Sequence, residues 1–242
     1  MTGITPFAVS QDLSRGALSR MTEAAVQVVD CIRELHDVGS NLVVEALRGG
    51  AQFTEWEHYP TNDARDPKSH AQYFLHAHAP DSRDSPDYAH FHTFMRSEGM
   101  PHGIRPYSVG AATALSAEAG DVMAHLIAIS MTPAGMPERL FTTNRWVTAE
   151  TWYVAPDVIS MLEGFSFDGD EPSRILNRWL TAMLVLFRPQ IEHLLIERDR
   201  VVERWRSRHP ESDVFEDRRL EVPSSLEISL DQQISWLDGK LE

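Results

Sequence analysis

The sequence predicts an α+β fold: an antiparallel sheet, open or barrel-like, flanked by an N-terminal helix and a long C-terminal helix. Two observations carry this. Apolar residues recur every three to four positions up to residue 50 and again beyond residue 155, and every second position between them. The stretches of period two are short, aromatic or β-branched, and separated by turn residues, as in an antiparallel sheet.

The boundaries follow from these changes of period: a helical segment over 1–50, a sheet over 51–154 and a helical segment with a tail over 155–242, all within one globular domain. In the first, Leu18, Met21, Ala25, Val28, Val29 and Ile32 form one stripe of an amphipathic helix from Ser14 to about His36, which Gly39 ends. A short helix follows, capped by Asn41 and stopped by Gly49 and Gly50. The strands are expected in QFTEWEHY, QYFLHAHA, YAHFHTFM, DVMAHLIAISM and ERLFTTNRWVT, with TPAGMP as a hairpin loop between the last two. Pro156 suits the first turn of a helix. A long helix is expected from about Pro172 to Arg206, interrupted at Pro189. The charged stretch after it reads as a solvated helix end and linker, and Ile234, Trp236 and Leu237 mark a small amphipathic helix near the end.

Composition narrows the function. The 242 residues are 42% hydrophobic, enough for one sizeable core, and the net charge of −14 disfavours nucleic acid and anionic membrane surfaces as partners. A single cysteine, Cys31, forms no internal disulfide. No secretory signal or membrane-spanning run is read, so the expected location is the cytoplasm.

The chemistry is concentrated in residues 72–94, QYFLHAHAPDSRDSPDYAHFHTF, which hold two His-X-His pairs. Side chains two apart on a strand point the same way, so His76 and His78 share one face and His90 and His92 another, each backed by an apolar opposite face. A hairpin centred on residue 84 would set His76 opposite His92 and His78 opposite His90, four imidazoles in reach of one divalent ion. A slip of one residue would separate them. The plain alternative is a polar sheet face bonded to carboxylates or water.

His125, mid-strand among aliphatic residues, is a candidate fifth metal ligand. Glu57 is a candidate ligand or general base. Arg145, beside Asn144 and Trp146, offers a planar donor fork for a carboxylate or phosphate, which makes these three candidate substrate contacts. Imidazole ligation suits iron, copper, zinc or nickel and disfavours calcium and magnesium. The expected function is therefore a histidine-ligated metalloenzyme, an oxidoreductase or oxygenase acting on a small anionic substrate. The alternatives are a zinc-dependent hydrolase and a non-catalytic metal- or small-molecule-binding protein.

The strings HAH, HFHTF, LFTTNRWVT and WEHYP resemble those of a bacterial protein family with no established activity, over about residues 50 to 200. The resemblance implies only that these strings belong together. A strand-borne His-X-His is also similar to that of the cupins. The glutamate that follows the pair in cupins is absent here, where Asp81 follows His78, and the flanking glycines are missing.

Overall fold

The computed structural model describes residues 13–48, 54, 57–76, 88–109, 112–113 and 122–241. Helix α1 (Arg15–Asp37) starts where the Ser14 hydroxyl accepts a hydrogen bond from the Ala17 amide at 3.2 Å. It buries Leu18, Met21, Ala25, Val28, Cys31 and Leu35. Asn41 caps α2 (Leu42–Ala46) by accepting from the amides of Val43 and Val44, both at 3.0 Å. Both starts are where the capping residues place them.

Six strands form one antiparallel sheet, in the order β1 (Tyr59–Arg65), β2 (Ala71–His76), β3 (Ala89–Arg96), β6 (Met123–Met131), β7 (Pro137–Thr142) and β8 (Ser224–Glu227). Residues Ser108–Val109 (β4) and Ala112–Thr113 (β5) make a separate two-stranded ribbon. The large sheet is open: β1 and β8 are its edges, and the barrel alternative does not apply. The TPAGMP hairpin forms as expected, closed by the Thr132 amide donating to the Met136 carbonyl at 2.8 Å, with Gly135 at φ +76°. Glycine is required there twice over, because a Cβ would also lie 2.7 Å from that of Asn41.

Three strands differ from the sequence reading: ERLFTTNRWVT is strand only as far as Thr142, and its Arg145–Thr148 are helical, with Asn144 as the cap. β1 runs through YPTNDAR, whose Pro, Asn and Asp are turn-forming residues, and half of QFTEWEHY, the strand expected before it, lies outside the described residues. β8 comes from the segment read as a linker and tail; SSLE is too short and polar to show a period of two. It completes the sheet by pairing with β7, and the Thr142 and Ser224 hydroxyls meet at 2.7 Å.

Beyond β7 lie α3 (Arg145–Thr148) and α4 (Ala155–Met161). The expected long helix is two: α5 (Arg174–Leu186) and α6 (Arg188–Arg208), broken at Phe187 just before Pro189. The ring of Pro189 cannot accept an uninterrupted helix, so the chain restarts with proline in the first turn. Helix α7 (Leu230–Leu241) packs on α1. Among the described residues no helix is long and apolar enough to cross a membrane.

One face of the sheet, Tyr73, Leu75, Phe91, Met95, Ile127, Ile129 and Leu140, joins the helices in a single core. Helix α5, against which α1 packs, is tied to this face directly. The Tyr73 hydroxyl donates to Asn177 Oδ1 at 2.6 Å, and the Phe91 and Trp179 rings lie 5.9 Å apart. With this face committed to the helices, the other face is left for the histidines. Phe91→Ala, in the centre of the core, is expected to cost about 3–5 kcal/mol in denaturant unfolding. Val26→Ala, on the exposed side of α1, should change stability by less than about 0.5 kcal/mol in the same measurement.

Candidate metal centre

Strand register assembles the centre. β2 pairs with β3 so that His76 faces His90 and Phe74 faces His92, a pairing centred on residue 83 rather than 84. This corrects the expected partners: His76 meets His90, not His92. The displacement amounts to two residues in partner number, which preserves every side chain's face. His78 lies outside the described residues.

One potential ligand nitrogen from each of His76, His90 and His92 lies within 4.8 Å of the others, so the three can hold a metal ion. Their ring centroids are 4.5 to 5.1 Å apart. His90 and His92 are wholly buried and His76 is 9% exposed. Phenylalanines wall the group: Phe74 lies 5.1 Å from His92 and 5.4 Å from His76, and Phe141 lies 5.4 Å from His90. Among the described residues no carboxylate belongs to the ligand group.

His125 is not part of that group but stands behind it. On β6, Ile127 pairs with Thr93 and His125 pairs with Phe94, so Leu126 is the extra residue of a bulge. Unbroken pairing would set Leu126 against Phe94 and turn His125 toward the helices. The bulge returns it to the histidine face, where its Nε2 lies 3.0 Å from His92 Nδ1 and its Nδ1 lies 3.3 Å from Thr143 Oγ1. Burial, with the Arg198 and His90 charges, pushes the His125 pKa down to about 3, so the ring is neutral. A neutral His125 can accept at Nε2 and donate to Thr143. His92 then donates from Nδ1, which leaves the ring's lone pair on Nε2, the arrangement in which an outer partner fixes a ligand's tautomer.

Glu150 holds the bulge in place: its Oε2 accepts from the His125 amide at 2.6 Å. Burial pushes its pKa up to about 8, against the lowering effects of Arg198, that amide and Arg145. Its Oε1 is buried without a hydrogen-bond partner among the described residues.

A fifth imidazole lies on the outer side. His58 stacks on Phe74 at 3.6 Å, and its centroid is 5.6 Å from that of His76. The alternation in QFTEWEHY puts His58 on the face away from Glu57 and favours Glu57 for the site. The structure brings His58 to the histidine face and leaves Glu57 exposed. The signal is the parity of the WEHYP string, legible only once β1 is known to begin at Tyr59.

The chain belongs to the family described as a domain of unknown function, DUF6969, which matches residues 22–228. That span contains His58, His76, His90, His92 and His125, and the family carries no functional assignment. No curated protein and no solved structure matches the chain.

The remaining candidates lie at the far end of β7. Asn144 caps α3 by accepting from the Arg145 amide, and its Nδ2 donates to the Val214 carbonyl at 2.8 Å. Arg145 pairs with Glu216. Trp146 Nε1 donates to the Leu220 carbonyl at 3.0 Å, with Arg218 over its ring. In this structure all three clasp the 214–220 segment that leads into β8.

Two outcomes follow. His125→Leu should retain the fold and weaken cobalt(II) binding about 10- to 100-fold, measured by absorbance titration. For Glu150, the folded pKa of about 8 lies above the ordinary 4.5, so the folded state holds the extra proton between these values. The group therefore costs stability progressively as pH rises through that window. Glu150→Gln removes this cost, and its unfolding free energy relative to wild type should rise from pH 5 to pH 8.

Proposed function

We propose that the protein is a metalloenzyme in which His76, His90 and His92 hold a transition metal and which oxidises a small anionic substrate. The observation that carries this reading is the convergence of three imidazoles, one with its tautomer set from behind, on one buried face. Three neutral ligands leave the charge of a divalent ion uncompensated in a region of low dielectric, which favours an anionic ligand. Among the described residues the ligand group has three members, and a three-ligand shell leaves a coordination position, as a catalytic site requires.

The phenylalanine walls favour oxidoreductase or oxygenase chemistry over hydrolysis. They keep bulk water away and suit an apolar reactant such as dioxygen. Iron and copper are the metals for that reading. Zinc hydrolysis is the second reading, favoured by a specific feature: three imidazoles are also the ligand set with which zinc acidifies water. Within the first reading, Glu57 is the proposed carboxylate beside His58. Asn144, Arg145 and Trp146, which directly follow Thr143, are proposed substrate contacts only on release of the 214–220 segment that they clasp.

Elemental analysis of the purified protein beside the His76→Ala, His90→Ala double variant tests the centre. About one transition metal per chain, lost in the variant, is expected. Oxygen uptake over a panel of small organic acids then tests the chemistry. A protein that carries only zinc and is inert to dioxygen transfers the assignment to hydrolysis, and no bound metal in either protein removes the reading altogether.

A further inference from the structure

His58 is held in place by a chain of hydrogen bonds that runs from β1 across β2 to β3. Its Nδ1 lies 2.9 Å from Asp63 Oδ1. Asp63 Oδ2 accepts from Gln72 Nε2 at 2.7 Å, and Gln72 Oε1 accepts from Arg96 Nη1 at 2.9 Å. Asp63 reaches this position from the left-handed region, φ +51°, within the irregularity that breaks the β1–β2 register between Tyr59 and Ala64. Asp tolerates that conformation better than most residues do.

Each link in the chain has a direction. The Arg96 guanidinium only donates, so the Gln72 oxygen must face it and the Gln72 amide nitrogen must face Asp63. The carboxylate only accepts, so the neutral His58 carries its proton on Nδ1. What remains is a lone pair on Nε2, on the opposite side of the ring from Asp63. His58 is also the most open member of the cluster, with 42% of its side chain exposed, and it stacks on the phenylalanine that touches both His76 and His92.

We propose that His58 is the ligand-contacting residue of the centre and that its Nε2 accepts a hydrogen bond from whatever binds beside the metal. The inference rests on the metal reading above and narrows its substrate class: small carboxylates that carry an adjacent hydroxyl, such as 2-hydroxy acids, over carboxylates that carry none. The carboxylate meets the metal's charge, and the hydroxyl proton meets Nε2. A 2-hydroxy acid that chelates the ion through a carboxylate oxygen and its hydroxyl oxygen puts the hydroxyl proton's acceptor about 5 Å from the ion, the metal–oxygen and hydrogen bonds taken together.

Glycolate and acetate form the matched pair of probes, since they differ by the hydroxyl. Each is titrated into the cobalt(II)-loaded full-length protein and followed by visible absorption. His58→Phe keeps the stack on Phe74 and removes the acceptor. It should hold cobalt with unchanged stoichiometry and lose about three- to tenfold in the glycolate-to-acetate preference, the worth of one hydrogen bond.

Asp63→Asn supplies a readout that a merely structural role would not move. The Gln72 amide still donates toward position 63, so the oxygen of the new carboxamide faces Gln72 and its NH2 faces His58 Nδ1. The proton is displaced to Nε2, which becomes a donor. Acetate should then bind more tightly than in wild type and glycolate less tightly.

An unchanged preference in His58→Phe overturns the inference, as does an Asp63→Asn protein with wild-type acetate affinity. A wild-type protein that holds cobalt but shows no spectral response to either acid overturns it while leaving the metal centre standing. Failure of the wild type to take up cobalt removes the metal reading and the inference together.

Discussion

Antiparallel pairing of β2 with β3 is the constraint from which the candidate centre follows. Alternation along a strand decides face, and register across strands decides distance. Together they give His76, His90 and His92 a common direction, with potential ligand atoms within 4.8 Å. Tyr73, Leu75 and Phe91 on the opposite face pack into the helical core, and this fixes the parity. A one-residue slip would bury imidazoles against α5 and expose phenyl and leucyl side chains, so the packing that stabilises the sheet also protects the histidine face.

The centre is graded from inside to outside. At the back, Glu150 and Thr143 hold His125, and His125 holds His92. In the middle, three rings sit among phenylalanines. In front, Asp63, Gln72 and Arg96 orient His58. Behind His92 orientation passes inward through hydrogen bonds; in front, hydrogen bonds carry it as far as His58, which meets the inner rings by stacking on Phe74. The low pKa of His125 fits this order, because a charged ring behind His92 would face a bound cation across one hydrogen bond.

Much of this is legible in the sequence. The doubled His-X-His gives the face, and the α+β class follows from the two changes of period. The register differs by two because spacing alone does not say how many residues a connection consumes. Parity survives that error, and with it three of the candidate ligands. His125 is recognisable as a neighbour, but a bulge cannot be seen in a pattern of alternating residues, so its place behind His92 is not. β1 and β8 are hidden for a related reason: edge strands bury less, so YPTNDAR and SSLE lack the apolar alternation that betrays a central strand. His58 and Asp63 go with β1. Asn144, Arg145 and Trp146 read as exposed donors; they are occupied with a segment some seventy residues further on, a contact that no local pattern records.

The position of β8 bears on how the molecule is made. β1 to β7 lie within residues 59–142, and β8 begins at Ser224, after the last long helix. On the ribosome the central strands with their imidazoles are synthesised well before β8. Until then the outer edge of β7 carries unsatisfied amides and carbonyls, available to the corresponding edge of another nascent chain. Helices α5 and α6 are synthesised in this interval, so the helical cover of the sheet precedes the strand that seals it.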